Sequence, residues 1–146
     1  MLFGSTHLTL DSKGRIFLSA KFKEQMKSPS GKVYVMRGYD GAMAIYNEEA
    51  FQKRIDELTN FSFRNGKARN VIRMDLSSVA DLDIDDQGRI LFPKKLLAEY
   101  KILSRHIVLN GVMDHIEIWD EDAWEEYRSN ANKSYESDSE SLEEKL

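Results

Sequence analysis

Apolar and polar residues alternate in two stretches of the chain, residues 7–10 and 81–84. In both stretches leucine or isoleucine occupies every second position, and histidine, threonine or aspartate lies between them. A period of two residues is typical of a β-strand with one buried face. Each strand leads into the same motif, Asp-x-x-Gly-Arg, at residues 11–15 and 85–89. The motif recurs after 74 residues, which indicates an internal duplication.

The residue types of the motif suit a tight turn followed by a second strand. Aspartate at the first position can accept hydrogen bonds from N–H groups inside the turn, and glycine at the fourth can adopt a positive φ. We therefore interpret each copy as a β-hairpin. The run that follows, residues 16–18 or 90–92, is apolar at all three positions, which predicts a strand covered on both faces. One hairpin cannot supply both covers, whereas two interleaved hairpins could.

The first half continues with a predicted helix over 19–26, strands over 33–36 and 43–46, and a helix over 48–58 capped by Asn47. This gives the order β-β-α-β-β-α. The second half repeats the order with different surface residues.

We expect two tandem units in an α+β chain, a first unit over 1–60 and a second over 78–128. A helical linker over 61–77 bridges them, and it contains a helix over 65–75. Three residues of that helix are expected to face inward, namely Ala68, Val71 and Ile72. Serine, asparagine and glutamate dominate residues 129–146, so this acidic tail is predicted to be disordered.

The composition limits the environment of the protein. The chain has no cysteine, which excludes disulfides and cysteine-based zinc sites and suits a reducing compartment. The first residues lack the basic flank and apolar core of a signal peptide, and no apolar run approaches the roughly 20 residues of a membrane span. We therefore expect a cytoplasmic protein with no membrane partner.

The net charge of −4 argues weakly against nucleic-acid binding, but the charge is unevenly distributed. Residues 1–37 contain seven basic and two acidic residues, and residues 61–74 add four basic residues and no acidic one. Residues 75–128 contain thirteen acidic and six basic residues. This asymmetry suggests a face that binds a polyanion. Solvated faces of unequal sign explain the charge pattern equally well.

Sequence signals for catalysis or metal binding are weak. His7, His106 and His115 lie far apart without ligand spacing, and no phosphate loop or nucleophile motif is present. The acidic stretch 81–86 alternates as a strand does and lacks the spacing of a calcium loop. We expect no enzyme activity, no metal, no cofactor and no small-molecule substrate.

Further motifs accompany the two turns. The strand pairs end in Ile-Tyr-Asn at 45–47 and Ile-Trp-Asp at 118–120, Arg-Gly-x-Asp-Gly lies at 37–41, and Ile-x-x-Pro follows the second turn at 90–93. With these elements in this order, the sequence resembles the MraZ family of the AbrB-like swapped-hairpin class. The resemblance covers nearly all of residues 1–128. Ser19 departs from it, because the family typically has proline there.

The resemblance implies two tandem AbrB-like swapped-hairpin β-barrel units with short flanking helices. It also implies a nucleoid-associated bacterial transcriptional regulator of the division and cell-wall gene cluster. Such a regulator binds short direct repeats in double-stranded promoter DNA, and it assembles into a ring-shaped homo-oligomer.

The first hairpin is the expected main DNA reader. A two-stranded β-ribbon fits the major groove, where arginine donates to guanine and lysine reaches a guanine edge or a phosphate. Gly14 would let the backbone approach the duplex. The second hairpin has a less cationic tip and is expected to be secondary. The expected DNA-binding residues are Ser12, Lys13, Gly14, Arg15, Gln87 and Arg89, and the turn-structuring residues are Asp11, Asp85 and Gly88.

Other interpretations remain open at this point. Asp11 with Arg15, and Asp85 with Arg89, could form intramolecular salt bridges that lock the turns and bind nothing. Lys21 and Lys23 suit phosphate contacts or a solvated helix face. The whole chain could also be an oligomeric protein-binding scaffold without DNA affinity, and a hydrolase is a more distant alternative.

Overall fold

Eight strands and five helices make up residues 1–144, the part of the chain that the computed structural model describes. The strands are β1 (Ser5–Thr9), β2 (Arg15–Phe17), β3 (Lys32–Arg37), β4 (Met43–Tyr46), β5 (Ala80–Asp83), β6 (Arg89–Leu91), β7 (His106–Val112) and β8 (His115–Asp120). The helices are α1 (Ala20–Met26), α2 (Glu48–Thr59), α3 (Gly66–Ser77), α4 (Lys94–Glu99) and α5 (Glu121–Glu144). The predicted α+β class and the repeated order β-β-α-β-β-α are confirmed, with α3 between the repeats.

The strands form two antiparallel sheets in which the halves of the chain are interleaved. The larger sheet has the order β1-β7-β8-β4-β3-β5, and the smaller one, here called the ribbon, pairs β2 with β6. Strand β1 pairs with β7 of the other half, and β5 pairs with β3 in the same way. If each strand is exchanged for its counterpart in the other half, the same order is obtained, read from the opposite edge of the sheet. The two repeats are therefore related by a pseudo-twofold arrangement.

This topology does not confirm two tandem units over 1–60 and 78–128. Strands β1 and β2 do not pair with each other as an isolated hairpin would, because each pairs with a strand from the second half. The two halves also share one hydrophobic core. Alternation along a strand reveals which face is buried but not which strand lies beside it.

The ribbon covers the core with only one of its faces. Ile16 and Ile90 lie opposite each other in the register and are at most 1% exposed. Phe17 and Leu91, which point the other way, are each 52% exposed. The prediction that residues 16–18 and 90–92 are covered on both faces was wrong at these two positions. Since neighbouring side chains of a strand point to opposite faces, a short apolar run does not ensure that both faces are buried.

Asparagine side chains cap α2 and α3. The side chain of Asn47 accepts a hydrogen bond from the Ala50 N–H at 2.8 Å, as predicted, and Asn65 accepts from the N–H groups of Lys67 and Ala68. Such caps satisfy N–H groups that the first helical turn leaves unpaired. Arg54 links α2 to α3 through the Asp75 carboxylate at 3.1 Å.

Helix α3 lies against the domain only loosely. None of its residues is fully buried, and Val71, which was predicted to face inward, is 42% exposed. Ala68 and Ile72 are half-buried, in agreement with the predicted face. The bridging position of α3 between the repeats leaves one side of the helix without a cover from residues 1–144.

The acidic tail does not follow the predicted disorder over the described residues. Helix α5 begins at Glu121 and continues to Glu144, whereas residues 145 and 146 lie outside the described part. Its first turns pack through Trp124 and Tyr127, whose rings lie 5.2 and 5.1 Å from the Trp119 ring. No glycine or proline interrupts the segment after Asp120, so the helix continues beyond its packed start.

No helix of residues 1–144 combines the length and apolar character needed to span a membrane.

Candidate nucleic-acid interface

The first Asp-x-x-Gly-Arg turn is closed by its own aspartate. The carboxylate of Asp11 accepts hydrogen bonds from the backbone N–H groups of Lys13 and Arg15, both at 2.9 Å. The Arg15 Nε donates to the same carboxylate at 2.7 Å. The Gly14 N–H donates to the Asp11 carbonyl at 3.0 Å. These bonds explain why aspartate, glycine and arginine occur at these spacings.

The second turn repeats the same network. The Asp85 carboxylate accepts from the N–H groups of Gln87 and Arg89 and from the Arg89 Nε. The Gly88 N–H donates to the Asp85 carbonyl at 3.0 Å. Both turns therefore contain the intramolecular salt bridge that the sequence left as an alternative. This finding identifies a structural role for Asp11 and Asp85.

The hydrogen bonds hold both aspartates in the charged form. The pKa of Asp11 is lowered from 3.8 to about 2, and the hydrogen bond from the backbone N–H of Arg15 is the largest of several causes. The backbone N–H of Arg89 is the main cause of the lowered pKa of Asp85. Each carboxylate therefore remains an acceptor for its arginine at neutral pH.

Acid is expected to loosen the first turn in a defined window. The folded-state pKa of Asp11 lies below its ordinary value, so the contribution to stability is complete above about pH 4 and is lost as the pH falls towards about 2. A ¹³C NMR titration of the Asp11 carboxyl should give a midpoint near 2, and Arg15→Ala should raise that midpoint only partly. A wild-type midpoint near 3.8 would contradict the hydrogen-bond network.

The ribbon brings the two motifs together on one outward face. In the register, Arg15 lies opposite Leu91 and Phe17 lies opposite Arg89. We call these four residues the outer patch. The arginine side chains are 33% and 36% exposed, and the two apolar residues are each 52% exposed. From the sequence we expected one main and one secondary DNA-binding hairpin. This patch was not predicted, because the pairing partner of each strand was unknown.

Each arginine keeps part of its guanidinium available. The salt bridges to Asp11 and Asp85 use the Nε atoms of Arg15 and Arg89. Within residues 1–144, the Nη groups of these arginines form no hydrogen bond. An arginine oriented through Nε can still present two parallel N–H donors to a planar acceptor such as a guanine edge or a phosphate.

The tips of the turns lie at opposite ends of the ribbon. The Phe92 N–H donates to the Gly14 carbonyl at 2.9 Å, and the Leu18 N–H donates to the Gly88 carbonyl at the same distance. Since Gly14 and Leu18 are four residues apart on an extended chain, the two ends are separated by about 13 Å. The predicted contact residues Ser12, Lys13 and Gln87 are exposed at these tips. The structure therefore brings Arg15 and Arg89 together and keeps the tips apart.

Gly14 has a structural reason to be glycine. Its φ is +85°, and a Cβ at this position would lie 2.8 Å from the Phe92 carbonyl oxygen. Gly88 has a φ of +79° and lies against the aliphatic part of Lys23. Both glycines thus fit the turn and its contact with the rest of the protein. The approach of Gly14 to DNA stays a prediction.

Two lysines of α1 were candidates for phosphate contacts, and one of them lies beside the second turn. Lys23 packs its stem against Gly88, which brings this lysine beside the second turn. The Lys21 Nζ lies 3.0 Å from the centre of the Phe3 ring, a cation–π arrangement. Neither lysine forms a salt bridge with residues 1–144. A contact of either one with phosphate stays a prediction.

The second basic segment, around α3, is free of carboxylate partners in the described part of the chain. Arg69 donates to the backbone carbonyls of Phe63 and Arg64, and Arg73 lies over the Phe63 ring. The segment therefore adds cationic side chains that are not neutralised by ion pairs within residues 1–144.

Comparison with known proteins agrees with the repeat seen in the fold. The model of one protein family, described as "MraZ protein, putative antitoxin-like", matches residues 1–74 and 77–145. These two segments divide the chain where the repeats divide, and the second includes most of the tail that the sequence resemblance had left out.

Similar proteins carry one name. A protein from Syntrophomonas wolfei is 34% identical over 97% of this chain and 96% of its own length. A protein from Moorella thermoacetica is 32% identical, over 93% of this chain and 92% of its own length. A protein from Pelotomaculum thermopropionicum is 34% identical, over 93% of this chain and 91% of its own length. All three are named "Transcriptional regulator MraZ". The family match and these identities over nearly the full length show that the chain belongs to the MraZ family.

Proposed function

We propose that the protein is a DNA-binding transcriptional regulator that binds promoter DNA through the outer patch and the turns beside it. One observation carries the proposal: two Asp-oriented arginines lie on the same outward face of a β-ribbon and keep their Nη groups available. A two-stranded ribbon fits the major groove, and arginine is the side chain that most often reads guanine there. The names of the relatives support the regulatory role.

The proposed target follows from the family resemblance. We place the protein in the cytoplasm at the nucleoid, where it would bind direct repeats upstream of the division and cell-wall gene cluster. Lys13 and Gln87, at the tips, would contact the duplex on either side of the arginines. The function is binding and needs no chemical step, cofactor or small-molecule substrate.

Assembly would increase the affinity. One subunit presents few cationic groups, and phosphate contacts are sensitive to salt, so several subunits in a ring would bind more tightly to repeats spaced about 10 base pairs apart. On this proposal, the interleaved strands of the two halves would be the family's swapped hairpins, formed within one chain. The basic surface around α3 and the acidic helix α5 of a neighbouring copy offer opposite charges for a head-to-tail contact that can close. Sedimentation should show a defined oligomer, and a monomer at micromolar concentration would contradict the ring.

Salt-dependent binding to a promoter fragment tests the proposal. Fluorescence anisotropy with labelled DNA from upstream of the gene cluster should show tight binding that weakens as salt rises. The logarithm of affinity should fall linearly with the logarithm of salt, by about 0.9 per phosphate neutralised. A scrambled duplex of the same length is the control. If the intact oligomer binds neither duplex, the scaffold function is the better explanation.

A further inference from the structure

Two large apolar side chains are exposed in the middle of the cationic surface. Phe17 and Leu91 lie diagonally across the outer patch, beside Arg89 and Arg15 respectively. Each is 52% exposed, while Ile16 and Ile90, one position before them, are buried on the other face. Isolated exposed apolar residues are common on protein surfaces. A matched pair flanked by arginines with available donors is a more specific arrangement.

We infer that Phe17 and Leu91 determine sequence specificity by contacting the C5-methyl groups of thymines in the major groove. The inference rests on the proposed DNA binding and adds a second kind of base contact to it. Thymine is the base that presents a methyl group in this groove, and apolar side chains recognise it by contact. Arg15 and Arg89 would donate to guanines nearby, so the patch would read two base types.

The spacing of the patch fits stacked base pairs. Residues two apart on one strand, such as Arg15 and Phe17, are separated by about 6.7 Å. Base pairs rise by about 3.4 Å along the duplex, so this separation corresponds to two base-pair steps. With β2 lying along the groove, one base pair would lie between the guanine that Arg15 contacts and the thymine that Phe17 contacts. The pseudo-twofold relation gives Arg89 and Leu91 the same spacing in the opposite direction.

The charges around the patch favour DNA over a second copy of the chain as the occupant. A protein contact over Phe17 and Leu91 would also cover the guanidinium groups of Arg15 and Arg89. Burying their unused Nη groups without new acceptors is costly. A duplex offers guanine acceptors and phosphates to the arginines and thymine methyl groups to the apolar residues. The major groove thus offers partners for both residue types side by side.

Removal of single methyl groups from the DNA tests the inference. A duplex is first selected by the full-length protein from a random pool, and each thymine is then replaced by uracil, which lacks the C5-methyl group. Loss of one methyl contact should weaken wild-type binding about fourfold at one or more positions, from about 0.8 kcal/mol per buried methyl. For Phe17→Ala, the same replacement should change the affinity by less than about 1.5-fold at the position that Phe17 reads.

Two further variants complete the experiment. Phe17→Leu keeps an apolar side chain and should keep most of the discrimination against uracil. Leu103→Ala is the control, because Leu103 is also an exposed apolar residue, at 85%, and lies outside both the ribbon and the basic segment around α3. This variant should discriminate like the wild type.

The possible results separate the two proposals. If wild-type protein selects no duplex, the proposed function and this inference both fail. If it binds a selected duplex and uracil has no effect at any position, the inference alone is overturned. The inference also fails if Phe17→Ala changes the sedimentation mass and still discriminates against uracil, because Phe17 would then be a contact between copies.

Discussion

Alanine at both Arg15 and Arg89 is expected to weaken binding to the selected duplex by at least about 30-fold. Each bidentate contact to a base contributes about 1–3 kcal/mol, so the loss of two contacts costs at least about 2 kcal/mol. Since both arginines occupy equivalent positions of the ribbon, each single substitution should cause a similar loss. This outcome differs from the sequence-based expectation that the first hairpin dominates.

The fold should survive these substitutions, because partly exposed salt bridges contribute little to stability. Fluorescence anisotropy at one fixed salt concentration measures the affinities. Lys53→Ala removes one exposed positive charge from α2, far along the chain from the motifs, and serves as the control. Wild-type affinity in the folded double variant would refute the role of the outer patch.

Ile90→Ala is expected to destabilise the protein by about 2–5 kcal/mol, the usual cost of removing a buried isoleucine side chain. Ile90 is fully buried and lies opposite Ile16, so truncation leaves a cavity where the two halves of the chain meet. Leu91→Ala, one residue further, is the matched control. Because Leu91 is 52% exposed, its loss should cost less than about 1 kcal/mol.

Denaturant unfolding measures both variants. The difference between neighbouring positions tests which face of the ribbon covers the core. Similar losses for Ile90→Ala and Leu91→Ala would contradict the one-sided burial of the ribbon.

Local features of the fold could be predicted from the sequence. The order of strands and helices and the cap at Asn47 follow from periodicity and residue type, which act over a few residues. The turn residues Asp11 and Gly14 were identified in the same way, because their hydrogen bonds lie within the motif. The two motifs also pointed to the family.

The pairing of strands between the two halves, such as β1 with β7 and β2 with β6, could not be predicted, because it joins residues far apart in the chain. Without knowledge of these pairings, the sequence does not reveal that Arg15 lies beside Leu91, or Phe17 beside Arg89, on one face of the ribbon. The helical tail was missed for another reason. Polar composition suggested disorder, although no helix-breaking residue follows Asp120. That absence was a usable signal.

The interleaved topology has a consequence for synthesis of the protein. Strand β1 pairs Ser5 with Asn110, so it finds its partner only after about 100 more residues have been translated. At about 5–20 residues per second, the ribosome needs about 5–20 s for this segment. Throughout that interval β1 lacks its native partner β7. The unpaired strand edges of the first half would then be most vulnerable to misassembly with other nascent chains.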